Sequence, residues 1–106
     1  MRIISEKAFQ ERLTEALEPF HGVARAVTGP GRSGAVASVY ASHMLKVPWL
    51  PAGGPVPEKL RPVLVVDTAS KSGRTLRKMA RRVETDLVTF AFLEPPRVHF
   101  WYEVGH

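Results

Sequence analysis

Apolar positions near the start of the chain recur at helical spacing, then give way to short unbroken blocks. Ser5 stands ahead of Phe9, Leu13, Ala16 and Leu17, which predicts an N-capped helix over residues 6–18 ended by Pro19. Residues 23–28 (VARAVT) are short and partly β-branched and predict a strand. The turn cluster 29–34 (GPGRSG) follows, then a helix over 35–45 with Val36, Val39, Tyr40 and Met44 on one stripe. A short strand is predicted at 47–50. Residues 51–61 (PAGGPVPEKLR), with three prolines and two glycines, predict a loop.

The clearest strand is 62–67. Val63, Leu64, Val65 and Val66 run without alternation, as in a strand buried on both faces of a parallel sheet. A polar loop over 68–73 leads to a helix over 74–83 with Leu76, Met79, Ala80 and Val83 inward. A strand over 86–93, a break at Glu94-Pro95-Pro96 and an aromatic strand over 98–104 complete the chain. Strands alternating with helices predict an α/β class: one Rossmann-like domain over 1–106, with a mostly parallel sheet of about five strands flanked by about three helices.

Composition narrows the chemistry. At 106 residues a sheet and its helices fill the chain, so an enzyme of this size is a minimal one and a homodimer is the expected assembly. The absence of cysteine excludes a disulfide framework, thiolate zinc sites and cysteine nucleophiles. No apolar run is long enough for a membrane span, and MRIISEKAFQERL turns charged too early for a secretory segment, so a cytoplasmic protein is expected. Fifteen Lys and Arg against ten Asp and Glu give a net charge of +5, which favours anionic partners: nucleic acid, phosphate esters or an acidic protein.

Two segments carry candidate chemistry. Gly29-Pro30-Gly31-Arg32-Ser33-Gly34 fits G-x-G-x-x-G between a strand and a helix. Residues 47–57 contain no acid to hold a dinucleotide ribose, and Ala35-Val36 stand where a P-loop needs Lys and Ser/Thr. What remains is a turn whose backbone N–H groups attract an anion. The second segment, residues 63–76, puts Asp67 at the carboxyl end of the buried strand, followed by hydroxyls, a glycine and a helix. Ser70, Ser72 and Thr75 can donate to phosphate oxygens, Gly73 permits close backbone approach, and Lys71 and Arg74 add positive charge. Asp67 suits sugar hydroxyls or a metal ion. Lys71, Arg74, Arg77, Lys78, Arg81 and Arg82 place six cations in twelve residues, either a solvated helix face or a phosphate-backbone patch. No nucleic-acid-binding motif accompanies them, so that alternative rests on charge alone. His21, His43, His99 and His106 have no metal-ligand spacing.

Four apolar residues, an acid and a loop ending in Ser72-Gly73-Arg74-Thr75 resemble the phosphoribosyl pyrophosphate (PRPP) signature of type I phosphoribosyltransferases. The upstream GPGRSG resembles that family's pyrophosphate loop, and SHMLKVPWL its helix end and following strand. The resemblance covers roughly residues 23–93 and implies a phosphoribosyltransferase that binds PRPP or a nucleoside monophosphate with Mg2+. It implies Asp67 and Arg32 as catalytic residues, with Asp67 also at the metal. Thr68, Ser70, Lys71, Ser72, Gly73, Arg74 and Thr75 would hold the 5-phosphate side, and Gly29, Pro30, Gly31 and Arg32 the pyrophosphate. Trp101 and Phe100 are the candidates for stacking on a base. The sequence departs from the family in three places. Thr68 replaces the second acid, Lys71 stands where 6-oxopurine enzymes carry Asp, and the loop at 51–61 is short and proline-rich. A non-catalytic nucleotide sensor or structural subunit of the same fold is the alternative those departures favour.

Overall fold

The computed structural model describes residues 2–93 and 98–103. Its elements are β1 (Arg2–Ile4), α1 (Glu6–Leu17), β2 (Ala26–Thr28), α2 (Gly31–Leu45), β3 (Val63–Ser70), α3 (Arg74–Arg82), β4 (Val88–Leu93) and β5 (Val98–Phe100). Short 3-10 turns cover Glu18–Phe20, Glu58–Leu60 and Trp101–Glu103.

β3 is the centre of a parallel sheet ordered β2-β3-β4, with Val27 paired to Leu64 and Val65 to Val88. Successive strand side chains point to opposite faces, and here both faces are covered. Leu64 and Val66 enter a core built with α1 and α2 residues Phe9, Leu13, Ala37 and Ala41. Val63 and Val65 enter a second core with Leu76, Met79 and Ala80 of α3. This double burial is the reason for the unbroken apolar run, and each such side chain contributes roughly 1.5–3 kcal/mol of burial. Ser5 caps α1 by accepting from the Ala8 amide at 3.1 Å, and Thr89 ties α1 to β4 by donating to the Ala16 carbonyl at 3.2 Å.

The α/β class stands, with five strands and three α-helices among the described residues, but the strands divide into two parallel ladders. β1 and β5 pair separately, Ile3 beside His99 and Ile4 beside Phe100, which brings the two ends of the chain together. β1 has no counterpart in the sequence reading, because three residues carry no periodicity. The strand expected at 47–50 is reduced to a single bridge between Val27 and Trp49, since Pro48 and Pro51 have no N–H to extend a ladder. The strand at 23–28 shortens to Ala26–Thr28. The expected strand at 98–104 ends at Phe100 and turns into the 3-10 segment Trp101–Glu103. The break at Glu94-Pro95-Pro96, Val104 and His106 lie outside the described residues.

Two shifts matter for the site. α2 begins at Gly31, four residues before the expected start, so most of GPGRSG is the first turn of a helix. β3 continues to Ser70, so Thr68 and Ala69 are strand and the loop before α3 contracts to residues 71–73. No helix among the described residues is long and apolar enough to cross a membrane.

Candidate phosphate and ribose site

β2 and β3 are parallel neighbours, so their carboxyl ends open side by side, where open α/β sheets bind ligands. The first leads to residues 29–33, the second to Asp67 and the 70–75 turn. The Thr68 amide donates to Asp67 Oδ1 at 2.7 Å, which fixes the carboxylate inside β3, three residues before its end and beyond the end of β2. Thr68 itself is 3% exposed and belongs to the core side.

The turn into α3 is organised by its own hydroxyls. Ser70 Oγ accepts from the Gly73 amide at 2.9 Å and Ser72 Oγ from the Arg74 amide at 3.3 Å, leaving both O–H groups able to donate outward. Gly73 precedes the helix at φ 74°, a left-handed conformation that suits glycine. Asp67, Ala69 and residues 70–76 surround a concavity of about 260 Å³ at the α3 N-terminus, where the helix dipole favours an anion. Arg77 reaches back and donates from Nη1 to the Ser72 carbonyl at 2.9 Å, so this cation braces the turn. Lys71 and Arg74 are exposed beside it.

Asp67 also lines a larger cleft of about 900 Å³ with Pro30, Gly31, Arg32, Ser33, Tyr102 and Glu103. One carboxylate therefore borders both the phosphate-type concavity and the loop at 30–33. Gly29 does not line it. Gly29 is buried where a Cβ would meet the carbonyl oxygens of Gly34 and Val66, so its task is the close packing of turn, helix and strand. Pro30, Gly31 and Arg32 do face the cleft.

The aromatic residues are placed differently from the sequence expectation. Phe100 is 4% exposed and packed against Phe9 and Phe92, and Trp101 leans on Phe9 and Tyr40 with centroids 5.5 and 6.2 Å away. Neither lines the cleft, because both fill the core beneath β1 and β5. Tyr102 lines it instead, stacked on Phe100 at 5.8 Å and 14° and hydrogen-bonded to Ser33 through the two hydroxyls at 2.7 Å. It sits in the same aromatic run, and only the strand-to-turn change after Phe100 turns it toward the cleft. Glu103 Oε1 accepts from the Phe100 amide at 2.8 Å and holds that turn.

Burial raises the Tyr102 pKa above the ordinary tyrosine value, with the Glu103 and Asp67 charges adding to it against hydrogen bonds to Ser33 and Thr68. The folded protein thus holds this proton more tightly than the unfolded chain. That contribution is complete below the ordinary tyrosine value of 10.0 and is lost as pH rises through the higher folded value. Tyr102→Phe is expected to cost about 1 kcal/mol at neutral pH by losing the Ser33 bond. It should also lessen the alkaline loss of stability; urea midpoints on both sides of pH 10.0 check this, and equal slopes in both proteins would contradict it.

The sequence matches no protein-family model and no curated protein. The fold does match solved structures. The xanthine-guanine-hypoxanthine phosphoribosyltransferase of Helicobacter pylori superposes with a TM-score of 0.73 at 18% identity, over 97% of this chain and 92% of that one. A purine phosphoribosyltransferase from Pyrococcus horikoshii gives 0.71 at 15% identity, over 100% and 97%. A hypothetical protein from Neisseria gonorrhoeae with bound ppGpp gives 0.59 at 18% identity, over 93% and 80%. The chain has a phosphoribosyltransferase-like fold.

Proposed function

We propose that this protein binds PRPP, or on the product side a nucleoside monophosphate, and transfers the phosphoribosyl group from PRPP to a nitrogenous base with release of pyrophosphate. The observation that carries the reading is Asp67 at the junction of two clefts, one of phosphate size at α3 and one walled by residues 30–33. A ribose on Asp67 would put its 5-phosphate on residues 70–75 and its C1 substituent toward Arg32. The first two solved neighbours are named as purine phosphoribosyltransferases, which supports the same chemistry here.

In this reading the turn amides and the hydroxyls of Ser70, Ser72 and Thr75 bind the 5-phosphate, with Lys71 and Arg74 adding charge. The Asp67 carboxylate accepts from ribose hydroxyls and so orients the anomeric carbon. The bond from C1 to the pyrophosphate oxygen breaks with its electron pair leaving on pyrophosphate. The bond from C1 to a base nitrogen forms as that nitrogen loses a proton to solvent. Arg32 and the backbone amides of Gly31 and Arg32 stabilise the departing charge. Tyr102, rather than Phe100 or Trp101, takes the place beside the base. Mg2+ usually keeps several waters and binds one or two carboxylates plus substrate phosphates. A cleft with the carboxylates of Asp67 and Glu103 suits an ion brought in with the pyrophosphate, and the ion would neutralise phosphate charge.

One observation favours a binding-only role. Thr68 is buried, so the family's second acid is replaced by a side chain that lines neither cleft, and the Neisseria neighbour holds ppGpp. A pyrophosphate-release assay with PRPP, Mg2+ and a panel of purine and pyrimidine bases separates the two. Release with at least one base is expected. PRPP binding with no release from any base would leave the nucleotide-binding role, and no PRPP binding at millimolar concentration would overturn both.

A further inference from the structure

A third cleft, of about 640 Å³, lies along α3 and shares only Pro30, Gly31 and Thr75 with the residues assigned above. One wall is a single helical stripe, Thr75, Lys78, Met79, Arg82 and Val83, which follow at helical spacing over roughly 12 Å of helix. The facing wall is the loop at 52–56. Arg61 closes the end, held by donation from Nη1 to the Val83 carbonyl at 2.8 Å and by Glu58 at 3.3 Å. Pro30 and Gly31 line this cleft as well as the Asp67 cleft.

Its chemistry is one-sided. Arg61, Lys78 and Arg82 bring three cations, and no carboxylate is among the lining residues. Among the described residues, Lys78 and Arg82 have neither an ion pair nor a side-chain hydrogen bond, unlike Arg61 and Arg77. Beneath them Met79 and Val83 offer a buried apolar floor, with Val56 opposite. Uncompensated cations over an apolar floor favour an anion that carries a flat apolar body. A bare inorganic anion would leave the floor empty. A nucleic-acid single strand would need aromatic side chains for its bases to stack on, and none lines this groove.

We propose that the α3 cleft is a second binding site, separate from the Asp67 site, for a nucleoside diphosphate or similar organic phosphate. The base lies on Met79, Val83 and Val56, and the phosphates lie on Lys78 and Arg82. Arg61, paired with Glu58 at 3.3 Å and Glu84 at 4.0 Å and donating to the Val83 carbonyl, shapes the closed end without adding free charge.

Calorimetric titration with ADP, with saturating ribose 5-phosphate present to occupy the other site, tests this. The expected result is ADP binding that weakens about tenfold or more in Lys78→Glu/Arg82→Glu, because two charge-assisted contacts are reversed. Val56→Trp, which fills the groove without touching its charges, should weaken ADP comparably. Both variants should keep the thermal transition of the parent and bind PRPP within about twofold of it. Asp67→Ala should show the opposite pattern, losing PRPP and keeping ADP; if PRPP binds no variant and no parent, the ADP pattern still stands alone. The proposal is overturned by no ADP binding at millimolar concentration, or by ADP binding that only Asp67→Ala removes. Inorganic pyrophosphate binding as tightly as ADP and indifferent to Val56→Trp would reduce the cleft to a charge patch. Single-stranded RNA that binds through Lys78 and Arg82 without competition from ADP would assign the face to nucleic acid.

Discussion

Gly29→Ala is expected to remove a large share of the folding stability of this protein. The chain turns from β2 into α2 so tightly that an added Cβ would strike the carbonyl oxygens of Gly34 and Val66. Both are backbone atoms of packed elements, and neither can rotate away as a side chain would. Gly34 faces the same constraint from the other side, where a Cβ would come within 2.6 Å of the Gly29 carbonyl carbon and Pro30 Cδ. Relief requires α2 to move off β3, which exposes the core containing Ala37, Ala41, Leu64 and Val66. Overpacking of this kind costs about 3 kcal/mol or more, against a total stability of roughly 5–15 kcal/mol for a small domain. Gly31 is the control: its φ is 63° but a Cβ there meets nothing, so alanine costs only about 1–2 kcal/mol. Urea denaturation of the two variants gives the comparison. A Gly29→Ala midpoint equal to that of Gly31→Ala would show that the turn is not packed this way.

The second large effect is on ligand affinity. Asp67→Asn keeps the shape of the side chain and an oxygen to accept from the Thr68 amide, so the fold should be conserved. It removes the negative charge that would accept from ribose hydroxyls. Hydrogen bonds to a charged group are worth about 1.5–3 kcal/mol each, so losing the charge-assisted part of two should weaken PRPP about a hundredfold. Calorimetry with Mg2+ and PRPP reads this directly, with the urea midpoint as the check on folding. An affinity within a factor of about three of the parent, below 1 kcal/mol, would remove Asp67 from the site.

What the sequence made legible is what local pattern controls. Val63 to Val66 announced a doubly covered strand, and the structure puts its alternate residues into two different cores. Ser5, Phe9, Leu13 and Leu17 announced α1 and its buried face. The place of Asp67 on the central strand and the glycine before α3 are legible for the same reason, since strand, turn and helix follow one another within fourteen residues, although β3 runs on to Ser70. Pairing between distant segments was not. The ladder of β1 with β5 joins residues about ninety-six positions apart, and three-residue strands carry no period to betray it. The role of Tyr102 was hidden by the same event, because a continued strand would have turned it elsewhere. The start of α2 at Gly31 was misjudged because Gly34 reads as a helix breaker. Its close approach to Gly29 explains why a glycine stands inside the first turn.

The central claim is that residues 70–75 and Asp67 form one ribose-phosphate site. A crystal structure of the protein with ribose 5-phosphate tests it most directly. The phosphate is expected at the start of α3, on the hydroxyls of Ser70, Ser72 and Thr75, with a ribose hydroxyl within hydrogen-bond distance of the Asp67 carboxylate. A phosphate bound elsewhere, or bound at that turn with the ribose pointing away from Asp67, would contradict it.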